Sequence, residues 1–280
     1  MRLKLGLIGF PINHSLSPWI HHQFLRKAGI AGDYRLYETS EANLEKTILK
    51  LKEDNVNGFN ITVPYKQKIM PFLDELDSDA EKIGAVNTVV NDKGKWKGYN
   101  TDGFGYVQSV KTAHPDVFKE NTKVLILGAG GAARGIYRAL VQEKFHTVDI
   151  ANRTTNKATQ LLELKEVQTN TNVLSFEEAE QQLMKYNFIV QTTSVGMKPN
   201  IDEQVISLRN ISPNTLVSDI VYQPLMTTLL KEAADFGALI HQGHAMLLYQ
   251  AQLAFEIWTG EQIAAKDILK QLDSRLRGNE

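Results

Sequence analysis

Cysteine is absent from all 280 residues. That single absence excludes disulfides, thiolate nucleophiles, iron–sulfur clusters and cysteine zinc sites. Charge of one sign is also lacking: 31 Lys and Arg against 32 Asp and Glu leave a formal net charge of −1. No global field draws such a chain to nucleic acid or to an anionic membrane surface, although net charge says nothing about a local basic pocket. No run approaches the roughly 18 apolar residues that a membrane span needs. The N-terminal apolar run breaks at Pro11 and is too short for a secretory signal. Internal repeats and low-complexity segments are missing too. The expectation is a globular protein of the cytoplasm.

What is present is an alternation of short apolar runs with helical patterns. Strands are expected at Leu3–Phe10, Tyr34–Glu38 and Phe59–Val63, with helices at Pro18–Lys27 and Ala42–Asp54. Val86–Val90 and Lys95–Tyr99 flank Asn91-Asp92-Lys93-Gly94 and read as a hairpin. A helical stretch from Phe104 ends at His114-Pro115. A second α/β unit begins at Thr122, with strands Lys123–Leu127, Thr147–Ala151, Phe188–Gln191 and Leu216–Ile220. A helix is expected at Ala132–Val141, then a short strand after Gly237 and two helices at Ala245–Trp258 and Ile263–Leu276. The fold class is α/β.

The segment KVLILGAGGAARG places Gly128, Gly130 and Ala133 at G-x-G-x-x-A spacing, after a strand and at the opening of a helix. The first glycine permits a tight turn, the second lets backbone approach a pyrophosphate, and the small third residue packs helix on strand. Free N–H groups and the helix dipole favour phosphate charge there. A ligand-free tight turn and a methyltransferase are the competing readings. The next strand end selects the cofactor. Asp149 stands at roughly the spacing of an NAD-type ribose ligand, but Ile150 and Ala151 follow it within the strand. The end itself is Asn152-Arg153-Thr154, with Lys157 beyond. A guanidinium there pairs with a 2′-phosphate, so NADP is expected rather than NAD. For Arg153 alone, a solvated surface arginine is the alternative.

Three polar clusters interrupt the first half. In Asn13-His14-Ser15-Leu16-Ser17-Pro18, the hydroxyls suit either an anion at a helix start or simple capping. In Asn60-Ile61-Thr62-Val63-Pro64-Tyr65-Lys66, Asn60 and Thr62 share a strand face, and Lys66 follows at its carboxyl end. A lysine so placed is a candidate acid/base or an ordinary surface residue. The third cluster runs through Asn87-Thr88 and Asn100-Thr101-Asp102-Gly103. Asp102 suits a tight turn; facing Lys66, it would complete a charge-coupled dyad for moving a hydroxyl proton. His21-His22, His241 and His244 have no carboxylate frame, and no metal is expected.

These clusters together resemble the shikimate dehydrogenase family: NHSLSP at 13–18, NITVPYK at 60–66, GAVNT at 84–88, NTDG at 100–103, GAGGAARG at 128–135 and NRT at 152–154. SVGM at 194–197, DIVYQP at 219–224 and GHAMLLYQAQLAFEIWTG at 243–260 extend the match over nearly the whole chain. The resemblance implies reversible NADP-linked reduction of 3-dehydroshikimate to shikimate, on the route to aromatic amino acids. It implies Lys66 and Asp102 as the catalytic pair, with Ser15 and Ser17 on the substrate carboxylate and Tyr222 close to it. Asn60, Thr62, Asn87, Asp102 and Gln250 would meet ring hydroxyls or the carbonyl. Gly128, Ala129, Gly130, Gly131 and Ala132 would line the phosphate turn, and Asn152, Arg153, Thr154 and Lys157 the 2′-phosphate. Lys157 stands where many members have arginine, which keeps the charge and loses the planar fork. Met197, Ile220 and Gly243 would lie near the nicotinamide.

The resemblance further implies two α/β domains flanking a cleft. Residues 1–105 with 243–280 would form the substrate domain and 106–242 a Rossmann-type NADP domain, the C-terminal helices returning to the first. A monomer or homodimer is expected. The nearest rival is an NAD-using quinate/shikimate dehydrogenase, which the cationic strand end disfavours. A non-catalytic NADP-binding regulatory protein is the other, and it has no need of both Lys66 and Asp102.

Overall fold

The computed structural model describes residues 2–278. The chain divides into two compact units, Met1–Thr101 with Gln250–Ile268 and Asp102–Tyr249 with Leu269–Glu280. The expected partition differs in three places: 102–105, 243–249 and the segment from 269 group with the second unit. Residues 1, 279 and 280 of the expected partition lie outside the described residues.

The first unit runs β1 (Leu3–Gly9), α1 (Ser17–Ala28), β2 (Gly32–Glu38), α2 (Leu44–Glu53), β3 (Gly58–Ile61), β4 (Glu75–Leu76), α3 (Ser78–Ile83), β5 (Thr88–Asp92) and β6 (Lys95–Tyr99). Its sheet has the order β2-β1-β3-β5-β6-β4. The first three strands are parallel, and β5 is antiparallel to both neighbours. Alternation along β1 sends Leu5 and Leu7 to one face and Ile8 to the other. Ile8 packs with Ile48, Leu51, Phe59 and Ile61, whereas Leu5 and Leu7 meet Ala254 and Trp258 from the C-terminal part of the chain. The Trp258 indole N–H donates to the Val89 carbonyl at 2.8 Å. This is the return of a C-terminal helix to the first sheet.

Two expected strands have other bounds than the apolar pattern suggests. β5 starts at Thr88 rather than Val86, because the Val86 N–H bonds the Lys66 carbonyl and the Asn87 side chain turns to Thr101. β3 stops at Ile61 because Thr62 opens a turn, its carbonyl accepting from Tyr65 N–H. The hairpin is tighter than the four residues expected. Asp92 pairs with Lys95, leaving Lys93 and Gly94 as a two-residue loop with both φ positive. The helix expected from Ala42 begins instead as a 3-10 turn at Glu41–Asn43.

The second unit contains α4 (Asp102–Ala113), β7 (Lys123–Leu127), α5 (Gly131–Gln142), β8 (Thr147–Ala151), α6 (Thr155–Thr159), β9 (Val173–Leu174), α7 (Phe176–Glu180), β10 (Phe188–Gln191), β11 (Leu216–Asp219), α8 (Thr228–Asp235) and β12 (Leu239–His241). The units divide within α9 (His244–Thr259), and α10 (Lys266–Arg277) follows. The sheet is parallel throughout, in the order β12-β11-β10-β7-β8-β9. Counted from β7, that is the doubly wound dinucleotide order, with its switch point between β7 and β10. Val124, Ile126, Val148 and Ile150 pack beneath Tyr106, Val110, Ile136 and Leu140 of α4 and α5. The alternate residues Leu125, Leu127, Ile189 and Val217 meet Leu229 and Leu230 of α8 on the opposite face. Helices on both faces explain why these strands read as continuous apolar runs.

Candidate active site

At the switch point the turn after β7 uses its glycines for two different reasons. Gly128 has φ +112°, and a Cβ there would stand 2.7 Å from Thr192 Oγ1. Its conformation and its neighbours both demand glycine. Gly130 has an ordinary φ of −88°. A Cβ on Gly130 or Gly131 meets nothing within 4 Å, and both residues are exposed. The protein's own packing requires no glycine at either position; a ligand laid against the backbone does. Gly130 is the N-cap of the 12-residue α5 and supplies no side-chain cap, so the first-turn N–H groups face outward for an anion. Ala129 and Ala132 are half-buried beside them, and Ala133 is buried under the helix as the spacing predicts.

The strand end after β8 separates the two nicotinamide cofactors. Asp149 is buried, and both its oxygens are occupied. Oδ1 accepts from the Asn172 backbone N–H at 2.7 Å and from its side-chain amide at 3.0 Å. Oδ2 accepts from the Tyr186 hydroxyl at 2.8 Å. Such a carboxylate ties β8 to its neighbours and is not available to a ribose. Asn152 Nδ2 bonds the Thr154 carbonyl at 2.8 Å and shapes the turn. Arg153, Thr154 and Lys157 are exposed, and neither cation has an ion-pair partner among the described residues. Uncommitted positive charge at this strand end fits a 2′-phosphate.

In the first unit, Asn87 is the hub. Its Oδ1 accepts from Thr101 N–H at 2.8 Å and from the Thr88 hydroxyl at 3.0 Å, while its Nδ2 donates to Thr101 Oγ1 at 2.9 Å. One residue earlier, the Val86 N–H holds the Lys66 carbonyl at 2.8 Å. Residues 86 and 87 therefore anchor Lys66 on one side and Thr101, the residue before Asp102, on the other. Three motifs distant in sequence are joined by backbone and amide bonds. Asn60 belongs to this hub as well. It is buried, donates to Asn87 O at 3.2 Å and Thr88 Oγ1 at 3.0 Å, and accepts from the Tyr34 hydroxyl at 2.7 Å.

The loops after β1 and β3 meet through a 3.1 Å bond from Phe10 N–H to the Val63 carbonyl. This brings the segments carrying Ser15, Ser17 and Thr62 to one edge of the sheet. α1 has Leu16 as N-cap, with no side-chain cap. The Ser15 hydroxyl accepts from the Ser17 N–H at 3.2 Å, so capping occupies one of the two serines only in part. Gln250 is half-buried on α9.

At the β10 and β11 ends of the second sheet, Ile220 and Gly243 touch. A Cβ on Gly243 would lie 2.3 Å from the Ile220 carbonyl, so protein packing alone accounts for that glycine. Met197 is 47% exposed on the loop after β10. Burial raises the Tyr222 phenol above its usual range, keeping it a neutral hydroxyl. Residue-type reasoning passed over Gln191 and Asp219, polar residues ending the strands FIVQ and LVSD, both 1% exposed. A polar terminus on an otherwise apolar strand was their only signal. Among the described residues no cluster of three or more His, Asp or Glu is placed to hold a metal, and no helix is long and apolar enough to cross a membrane.

Three family profiles match the chain: "Shikimate dehydrogenase substrate binding domain" over residues 7–89, "Shikimate / quinate 5-dehydrogenase" over 111–220 and "Shikimate 5'-dehydrogenase C-terminal domain" over 243–272. The shikimate dehydrogenase (NADP(+)) of Oceanobacillus iheyensis is 49% identical over 99% of this chain and 100% of its own. The chain belongs to the shikimate dehydrogenase family. Among solved structures, a shikimate dehydrogenase in complex with NADP+ superposes with a TM-score of 0.90 at 35% identity, covering 98% of this chain and 96% of that one. The shikimate 5-dehydrogenase of Listeria monocytogenes, in complex with shikimate and NAD, gives 0.89 at 33% identity, with 97% and 96% covered. The substrate-binding profile of the shikimate dehydrogenase family falls on residues of the first unit, and the 111–220 profile falls on residues of the second.

Proposed function

We propose that this chain is an NADP-dependent oxidoreductase that interconverts 3-dehydroshikimate and shikimate, working in the reductive direction in aromatic amino-acid biosynthesis. The observation that carries the reading is the Asn87 hub, which holds Lys66 and the residue before Asp102 to adjacent backbone positions. The second unit adds a glycine turn whose second and third glycines have no structural reason to be glycine. NADPH, when bound, supplies the hydride to the substrate's C3.

The chain's own residues do the rest. The Lys66 ammonium donates a proton to the carbonyl oxygen as it becomes a hydroxyl, and takes it back in the reverse direction. Asp102 accepts from that hydroxyl and orients Lys66. Ser15 and Ser17 bind the substrate carboxylate with Tyr222 close by, and Thr62, Asn87 and Gln250 meet the ring hydroxyls. Asn60, which bonds the Asn87 carbonyl and Thr88, joins them on the ring hydroxyls or the carbonyl. Gly128 through Ala132 line the pyrophosphate. Asn152, Arg153, Thr154 and Lys157 surround the 2′-phosphate, with Met197, Ile220 and Gly243 towards the nicotinamide. The first unit is the substrate domain and the second the cofactor domain.

Nicotinamide absorbance with shikimate and with quinate, each against NADP+ and NAD+, tests the reading. Turnover is expected with shikimate and NADP+ above all other pairs. Turnover with none of them refutes the enzyme, and preference for quinate with NAD+ shifts it to the quinate-using type. Lys66→Ala is expected to cut kcat by about 10²–10⁴-fold with a much smaller change in KM, since a proton shuttle acts in the transition state. An unchanged kcat removes Lys66 from the mechanism.

A further inference from the structure

Arg153 and the glycine turn occupy the β7 and β8 side of the second sheet's carboxyl edge. The other side carries the segments 192–197 and 220–227, which follow β10 and β11 and include Met197, Ile220 and Tyr222. Their shape is set by two buried polar side chains that the proposed proton transfer does not use. Gln191 and Asp219 are the last residues of their strands and stand opposite each other in the register. Gln191 Nε2 donates to Asp219 Oδ1 at 3.1 Å and to the Val195 carbonyl at 3.1 Å, and Gln191 Oε1 accepts from the Thr193 N–H. Asp219 Oδ1 also accepts from the Val221 N–H at 2.9 Å. Oδ2 accepts from the Thr227 hydroxyl at 2.7 Å, and that hydroxyl caps α8 by accepting from the Leu230 N–H at 3.3 Å.

Asp219 thus collects bonds from the β11 loop, the start of α8 and, through Gln191, the β10 loop. It has no cationic partner among the described residues. Fastening sheet to helix does not call for a buried carboxylate; apolar residues of similar volume do that equally well. What polar atoms add is direction, because each bond fixes where one loop leaves its strand.

Given the reading above that this edge takes NADP, we propose that Gln191 and Asp219 are positioning residues. They hold the two loops that flank the nicotinamide end of the cofactor site in fixed relation, and contribute nothing to the adenine end.

The test compares full-length wild type with Asp219→Ala, Asp219→Asn and Gln191→Leu. The readouts are kcat and KM with shikimate and NADP+, affinity for NADPH, and affinity for adenosine 2′,5′-bisphosphate, a probe of the adenine and 2′-phosphate end alone. Asp219→Ala is expected to lower kcat by about 10–100-fold, the range for small misplacements in an active site. NADPH binding weakens, while the bisphosphate binds as in wild type. Asp219→Asn recovers most of the rate. Its carbonyl replaces Oδ1 for Val221 and Gln191, and the Thr227 hydroxyl can accept from the amide. If Asp219→Ala does not fold, Gln191→Leu is read by the same criteria, since it unties the β10 loop without emptying volume. Unchanged kcat with unchanged NADPH affinity overturns the proposal, and so does equal weakening of NADPH and bisphosphate, which reports general loosening. Wild-type chain that binds NADPH without turning over shikimate refutes the proposed reaction instead. The difference between NADPH and bisphosphate binding then still decides the role of the pair.

Discussion

In the proposed function, single residues at the β8 end select the dinucleotide. Arg153 is exposed with no ion-pair partner among the described residues, so removing it costs the fold almost nothing. Arg153→Ser is expected to raise KM for NADP+ by about 10–100-fold, the loss of one charge-assisted bond of about 1.5–3 kcal/mol. The melting temperature and KM for NAD+ should stay near wild type. Equal KM values for NADP+ in variant and wild type would end the 2′-phosphate assignment. Asp149 shows what residue-level reading can and cannot reach. Its position inside the strand was visible, because Ile150 and Ala151 follow it. That its carboxylate is spent on Asn172 and Tyr186 was not, since those partners come from elsewhere in the sequence. The partners of Asn60 were hidden for the same reason: alternation along β3 gives its face, but not Tyr34, Asn87 and Thr88 waiting there.

Among elements, the turn between β7 and α5 offers the sharpest separation of folding from binding. Gly130→Ala puts a Cβ into open space at an ordinary φ, so stability should be unchanged or higher by up to about 1 kcal/mol through loss of unfolded-state freedom. NADPH affinity should fall at least about tenfold, because the same Cβ occupies the path of the pyrophosphate. Calorimetric binding against thermal unfolding reads both; affinity equal to wild type would mean that the phosphates do not lie on Gly130. Gly128→Ala should behave in the opposite way, losing stability through its φ of +112° and its contact with Thr192. Elements with a strong period were legible to within a few residues. The weak ones, β4, β9, α3, α6, α7 and α8, were not. They run only two to eight residues, too few for a period to repeat, and caps such as Thr227 on Leu230 are recognisable only once the chain is folded.

For the whole molecule, buried titratable groups set how stability follows pH. Burial lowers His21 and His241 each from 6.5 to about 3. A histidine held neutral in the fold contributes stability that is complete above its unfolded pKa and lost as pH falls, because the unfolded chain takes up the proton first. Between about pH 6.5 and pH 5 each should cost about 2 kcal/mol. Burial raises Asp219 from 3.8 to about 6, which acts in the reverse sense. Its folded form binds the proton first, so falling pH returns about 1–2 kcal/mol over the window just below pH 6. The net expectation is a loss of about 2–3 kcal/mol from pH 6.5 to pH 5. Denaturant titrations at the two values measure it. His241→Asn, which keeps polar groups for Ser109 and Ser218, should remove most of the slope and leave a loss of about 1 kcal/mol or less. A slope unchanged in that variant would mean that His241 is not held neutral.

The sequence by itself determined the parts of this protein that are written locally. A parallel α/β plan follows from apolar runs of strand length separated by helical periods, and a dinucleotide turn follows from glycine spacing after a strand. NADP in preference to NAD follows from a cationic strand end. These depend on neighbours a few residues apart, where propensity and period act directly. Only the tertiary structure decided which polar residues are bonded to one another. Hydrogen-bond partners such as Asn87 with Thr101, Asn60 with Tyr34, and Gln191 with Asp219 are brought together by strand order and register, not by chain distance. A buried polar group must find its partner wherever the fold presents one, and sequence spacing carries no record of where that will be.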